Sequence, residues 1–403
     1  MRTSLLKHVF VYVNLALILA FPMFSMLTFE AKAQLPSTLT ELASGTEIFC
    51  IAADSTHVYF TEYSGGTVNR VPKVGGAVQT LVSGENYPWR LVVDGNYVYY
   101  IVHEGGLVKR VPKDGGPSEV LADGLTHPWD VATDSDYVYF TVRDGPGLWD
   151  DPNGYVARVA KSGGSVQVLA YAQHPNGMAI DSQYVYFTER DIGNIKKVPI
   201  GGGAPQTIAS GLNAYLQSLA VDTDNVYFVE HNATGSGVGG RVGKVPKNGG
   251  TVTILASGQS GPFFVAVDSS WVYFTEYGAG NVKRVSKTGG NLQTLASALD
   301  RPSGIAVTSD YLFFSDYDGV YKIAIWEPQR TNWELLYLAT GLGIAAAAFG
   351  SSTVYFYRKS HPKSFHQPSP VRSTQTKGKI CPQCGASLPP DSKFCGKCGN
   401  SLE

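Results

Sequence analysis

The sequence predicts an all-β chain folded as a seven-bladed β-propeller, on three observations. A motif recurs about every 40 residues, each repeat holds four short strand patterns, and a lone strand at the start completes an unfinished repeat at the end. Glycine (45), tyrosine (23) and proline (22) are plentiful and methionine (4) is scarce, which suits short strands and tight turns.

Each repeat runs through an apolar strand ending in Asp, a short turn, an aromatic strand, a Gly-rich connection, a strand ending Val-Pro-Lys, a Gly-Gly turn and a strand like QTLAS. The Asp positions are 54, 94, 134, 181, 222 and 268, with Thr308 in the seventh place. Leu39 to Ser44 matches the fourth strand of a blade, and the seventh repeat stops after its third strand, Gly319 to Ile325. The N-terminal strand is therefore expected to supply the missing outer strand and close the ring over residues 37–327, which removes an exposed sheet edge. Acids recur after the aromatic strands at Glu62, Glu189, Glu230, Glu276 and Asp316, and a repeated acid reads as a structural hydrogen-bonding group.

The phrases VYFTEYSGG from Val58, VYFTERDIG from Val185 and VYFTEYGAG from Val272 resemble the YWTD repeats of low-density-lipoprotein-receptor propellers and the related NHL-type propellers. The resemblance implies the fold, and it leaves the activity open among receptors, scaffolds and a few enzymes.

Alternating strand direction assigns each loop a side. One face receives the Gly-Gly turns with Lys73, Lys113, Lys161, Lys247 and Lys287, and Ile200 replaces lysine in blade four. The chain leaves the ring on this side, so these lysines are either solvated turn residues or groups that meet anionic lipid headgroups. The other face carries irregular residues: Trp89, Arg90, His103, His127, Trp129, Asp130, Arg143, His174, Asn176, His231, Phe263 and Arg301. Aromatic and arginine side chains on a rigid scaffold are the makings of a ligand or partner patch. Insertions enlarge it at Asp144 to Tyr155 and at Asn232 to Gly240, where Asn232-Ala-Thr234 fits a glycosylation acceptor.

The competing reading is catalytic. Lactonase-like hydrolases and the streptogramin-inactivating lyase, which this propeller resembles, use metal held by acids and histidines. That implies a divalent metal held by several of His103, His127, His174 and His231 with a carboxylate such as Asp130.

Two uncharged runs flank the repeats. Arg2 and Lys7 precede Val9 to Phe29, and Ala31-Lys32-Ala33 follows, as in a secretory signal peptide over 1–33 or an uncut N-terminal anchor. Leu335 to Tyr357, within a predicted transmembrane helix at 334–357, would reach about 34 Å as a helix, against a hydrocarbon core of about 30 Å. Aromatic residues flank it, and the 358–379 linker has six Lys or Arg and no acid, which places the tail in the cytoplasm. The formal charge of −1 hides an acidic middle (−9) and a basic segment from 358 onward (+6), so nucleic acid is an unfavourable partner for the propeller.

Cys50 is alone among the repeats and reads as a buried core residue. Cys381, Cys384, Cys395 and Cys398 form two CxxC pairs, the spacing of a tetrahedral Zn²⁺ site in a segment with no core of its own. The 380–403 tail resembles the zinc ribbons appended to prokaryotic membrane proteins.

Overall fold

The Asp that ends the first strand of each repeat builds the turn after it. Asp94 Oδ1 accepts the backbone N–H of Asn96 and of Tyr97, both at 2.8 Å, and Oδ2 accepts the Tyr99 hydroxyl at 2.8 Å. Asp54, Asp134, Asp181, Asp222 and Asp268 repeat the arrangement with Tyr59, Tyr139, Tyr186, Tyr227 and Tyr273. In the seventh blade Thr308 replaces Asp, and Phe313 stands five residues on, so both halves of the hydroxyl–carboxylate bond are lost together. Its hydroxyl still accepts the Tyr311 N–H at 3.2 Å, a weaker version of the same turn.

The computed structural model describes residues 39–144, 153–213, 215–231, 239–325, 379–380 and 387–388. The chain divides into two compact units, Met1–Pro328 and Gln329–Glu403. The first is a propeller of seven four-stranded antiparallel sheets. Blade two is typical, with strands A to D at Pro88–Val93, Tyr97–Val102, Leu107–Pro112 and Glu119–Ala122. Blade seven takes Ile305–Val307, Tyr311–Ser315 and Gly319–Ala324 from the end of the repeats. Its outer strand is Thr40–Ser44, antiparallel to Gly319–Ala324, as the phase of the repeats requires.

Both faces of each B strand are covered by neighbouring blades, so its aromatic residues, such as Tyr99, Tyr100 and Phe140, are buried. A threonine on the same strand ties adjacent blades. Thr61 Oγ1 accepts the Cys50 N–H at 3.3 Å and donates to the Trp89 carbonyl of the next blade at 3.0 Å. Thr141 and Thr275 do the same for Asp130 and Asn176, and for Phe264 and Ser303. The recurring acids are structural, as expected. Glu276, for one, accepts Ser260 N–H at 2.9 Å and Asn281 at 2.8 Å and pairs with Lys283 at 2.8 Å. Cys50 is buried and unpaired, and burial pushes its thiol up to about 11.

The turn lysines do something the sequence reading did not foresee. Each reaches back to the repeat Asp of the preceding blade: Lys113 to Asp54 at 2.6 Å, Lys161 to Asp94 at 2.7 Å, Lys247 to Asp181 at 2.9 Å and Lys287 to Asp222 at 2.7 Å. Lys73 has Thr308 where that Asp would be, and its amino group lies 5.1 Å over the Phe313 ring. Both readings of these lysines are corrected for Lys113, Lys161, Lys247 and Lys287, whose ammonium groups are largely buried and paired with carboxylates of the fold.

The clips carry a pH signature. Burial works against ionisation of Asp94, but Lys161, two backbone N–H groups and Tyr99 outweigh it and hold the carboxyl down to about 2. Asp181 is likewise held to about 2 against burial, by Lys247. A carboxyl lowered by folding adds stability above its unfolded value of about 3.9, and that stability is lost as the pH falls toward 2. Lys161→Met is expected to cost on the order of 1 kcal/mol at neutral pH and to flatten the acid limb of the melting curve between about pH 4 and 2. An unchanged acid limb would refute the clip.

In the second unit, Lys379–Ile380 pairs antiparallel with Ser387–Leu388. No helix among the described residues is long and apolar enough to cross a membrane. The two apolar runs, the basic linker, the four tail cysteines, most of the blade-three insertion with Trp149, Asp150 and Asp151, and the Asn232 acceptor lie outside the described residues.

Candidate functional site

Strand A of each blade begins in a bulge. Its pairing with strand B slips between Pro88 and Leu91 in blade two, and at the matching place in the five other complete blades. The residue just before the strand is left-handed in the six complete blades, Glu47, Tyr87, His127, His174, Tyr215 and Gly261, and Arg301 holds the matching repeat position in blade seven, with φ between 41° and 71°. Only glycine adopts that conformation without cost, so six positions store about 1 kcal/mol or more each. In six blades the carbonyl of this residue accepts the N–H of the first residue after strand B, for example His103 N to Tyr87 O at 3.0 Å and Arg190 N to His174 O at 3.3 Å. The two loops of each blade are thereby pinned at the mouth of the central channel.

The channel itself is plugged. Arg90 pairs with Asp130 at 3.4 Å, both side chains only 7% exposed, and lies 3.9 Å over the Phe264 ring of blade six. Asp130 Oδ2 also accepts the Met178 N–H at 2.8 Å. Burial raises the Asp130 carboxyl above its ordinary value, and Arg90 and two backbone N–H groups oppose that. These two residues form the floor of the mouth. Asn176, also buried, donates to Leu216 O and Gln217 Oε1 at 3.0 Å.

Above the floor, one arc of the mouth is aromatic. Phe49 stacks on Trp89 at 3.6 Å, Trp89 meets Tyr63 at 5.2 Å and Trp129 at 5.0 Å, and Phe263 meets Phe49 at 5.7 Å and Tyr277 at 5.3 Å. Blades one, two and six place Phe49, Trp89 and Phe263 at one repeat position, whereas blade seven has Ser303 there. The missing ring leaves a cavity of about 340 Å³, lined by Phe49, Tyr63, Trp89, Tyr277 and Tyr317 together with Glu47 and Arg301.

The opposite arc is polar. His127 Nδ1 bonds Asp144 Oδ2 at 2.7 Å, His174 Nε2 lies 3.8 Å from Asp144 Oδ1, and His174 Nδ1 bonds Asp191 at 2.5 Å. Arg143 stacks over Trp129 at 5.1 Å and Arg190 over Tyr215 at 4.2 Å. His103 is buried, with Nδ1 3.0 Å from the Pro128 carbonyl, and burial lowers its pKa below the ordinary imidazole value.

The structure thus brings Trp89, His103, His127, Trp129, Arg143 and His174 to one mouth, with Arg90, Asp130 and Asn176 beneath. His231 sits apart from the other histidines, 6.4 Å from the Phe263 ring, and Arg301 is at the cavity. The metal set expected from the sequence does not assemble, because Asp130 turns to the axis and Arg90. Among the described residues no group of three or more His, Cys, Asp or Glu is placed to hold a metal ion.

The sequence did not point to Glu47, Phe49, Tyr63, Tyr277, Tyr317, Asp191 or Arg190 as site residues, and it reached Asp144 only as the start of an insertion. A signal for most of them was available. Counted from the repeat Asp, the left-handed ring lies at −7, the mouth ring at −5, the axial ring at −4 and the ring after strand B at +9.

Fold and site define a closed seven-bladed propeller with a plugged channel and a chemically uneven mouth. Solved structures with the same fold include a streptogramin B lyase, 16% identical, covering 71% of this chain and 96% of its own with a TM-score of 0.60. A catalytically inactive virginiamycin B lyase from Staphylococcus aureus with quinupristin is also 16% identical, covering 72% and 99% with a TM-score of 0.60. The WD40 propeller of Doa1 is 13% identical, covering 73% and 99% at 0.58. These likenesses show the fold alone. Residues 380–402 match the zinc-ribbon domain family, and no curated protein matches the chain.

Proposed function

We propose that this chain is a membrane-anchored, extracytoplasmic propeller that binds a small amphipathic ligand at the channel mouth, with a zinc ribbon on the cytoplasmic side. One observation carries the binding reading. Among the described residues, the buried side-chain polar atoms without a hydrogen-bond partner are on Glu47, Trp89, Arg90, Trp129, Arg143, Asp144, His174, Asn176 and Arg190. All nine belong to the mouth and its floor, and none to the clips or blade interiors. Buried polar groups are nearly always hydrogen-bonded, so their concentration at one place marks the mouth as the part of the fold built for something other than packing, and a ligand with both ring surface and polar groups suits its lining. The size of the cavity, a partly open pocket of about 340 Å³, favours a small molecule over a protein or glycan partner.

The anchor rests on the apolar runs at 9–29 and 335–357 and on the basic linker. The VYFTE phrases support a YWTD- or NHL-like origin for the blades. A second reading, a lyase or hydrolase, is favoured by the His127–Asp144–His174–Asp191 chain, which can hold and pass a proton at His127 or His174.

The test is a small-molecule screen by ligand-observed NMR on the full-length chain. Binders are expected, and the double variant Trp129→Leu/Arg143→Leu should weaken those seated on the polar arc by tenfold or more, with the melting temperature little changed. Binders indifferent to mouth substitutions, or none at all, would sink the proposal.

A further inference from the structure

The cavity in the aromatic arc has a charge character that narrows its occupant, and the following rests on the mouth being a binding site. Glu47 lines the cavity, held left-handed at φ 54°. Its Oε1 accepts the Tyr317 hydroxyl, while Oε2 is buried without a hydrogen-bond partner. Among the described lining residues the one cation is Arg301, whose side chain is exposed and pairs with its likewise exposed neighbour Asp300. It bonds Asp300 through Nε at 3.1 Å and Nη2 at 3.2 Å and lies flat over the Tyr317 ring at 3.7 Å. Among the described lining residues the buried Glu47 carboxylate therefore has no buried counter-charge. Burial, Glu104, Tyr87 and Glu47 together raise the Tyr63 hydroxyl above its ordinary value, which fits a negative local field.

We propose that this cavity binds an organic ammonium group, seated among the rings of Phe49, Tyr63, Trp89, Tyr277 and Tyr317 and neutralised by Glu47. Aromatic faces attract a weakly hydrated cation, and the attraction grows when water is excluded. An anion would meet the unmatched Glu47 carboxylate. A purely apolar guest would leave Oε2 buried and unsatisfied. The volume, about 340 Å³, is more than twice the roughly 150 Å³ of a dry cavity that accepts benzene, so an ammonium head with a short tail fits.

The experiment uses isothermal titration calorimetry on the full-length chain in a detergent without amine headgroups. The probes are tetramethylammonium, choline and 3,3-dimethyl-1-butanol, the last a neutral isostere of choline. Choline is expected to bind saturably and at least about tenfold more tightly than the alcohol. Glu47→Gln, which keeps an acceptor for Tyr317, should shrink that preference to less than about threefold. Equal affinity for choline and the alcohol in the unaltered chain overturns the inference without any variant. So does the absence of saturable ammonium binding. If ammonium fails while other molecules still bind in a Trp129- and Arg143-dependent way, the ligand class is wrong and the mouth stands. If nothing binds, both readings fall.

Discussion

Stripping zinc from the full-length chain, or replacing Cys384 by Ser, is expected to unfold the 380–402 segment outright while the propeller melts as before. The segment matches the zinc-ribbon domain family and contains Cys381, Cys384, Cys395 and Cys398. So short a stretch buries too little apolar surface to fold alone, so metal–thiolate bonding must supply the folding energy. Structural Zn²⁺ in peptides of this size contributes about 10–16 kcal/mol near neutral pH. Because the ligands are thiolates, affinity falls as acid protonates them. Elemental analysis should find one zinc per chain, and none or far less in Cys384→Ser. Limited proteolysis should then cut within 380–402 and leave the blades intact. A full-length chain that binds no zinc, or a Cys384→Ser chain that retains it, refutes the ribbon.

The blades were legible because each rests on local chemistry: an Asp that makes its own turn, a Tyr five residues on, and alternating apolar strands. Closure by Thr40–Ser44 was legible because the phase of the repeats left one strand over at each end. The lysine clips were not, since each joins residues in different blades, as Lys161 joins Asp94 across 67 positions of sequence. Half the mouth was hidden for another reason. Phe49 and Tyr63 read as ordinary strand and loop residues until the bulge turns the −5 position out of the ladder toward the mouth. Asp130 and Asp144 exchange roles between sequence and fold. Asp130 reads as a loop carboxylate and is the floor of the channel, whereas Asp144 reads as the start of an insertion and stands between two histidines.

Arg90→Leu should be the most damaging single substitution in the propeller, at about 3–5 kcal/mol, because it strands a carboxylate on the channel axis. Asp130 is buried and keeps the Met178 N–H and its neighbour's as donors, but Arg90 is its counter-charge. Without Arg90, burial acts with less opposition, so the carboxyl shifts further up and takes a proton in the fold. A group raised by folding is favourable only while protonated. The variant should therefore lose stability as the pH rises above about 3.9, the unfolded value, up to its raised folded value. The double variant Arg90→Leu/Asp130→Leu removes both charges and is expected to recover most of the loss, since a buried pair replaced by apolar side chains is often neutral. Phe264, now stacked under the guanidinium, would pack against the new leucines. Thermal or denaturant melts of the two singles and the double form the cycle. If the double is no more stable than Arg90→Leu alone, the pair is not what closes the channel.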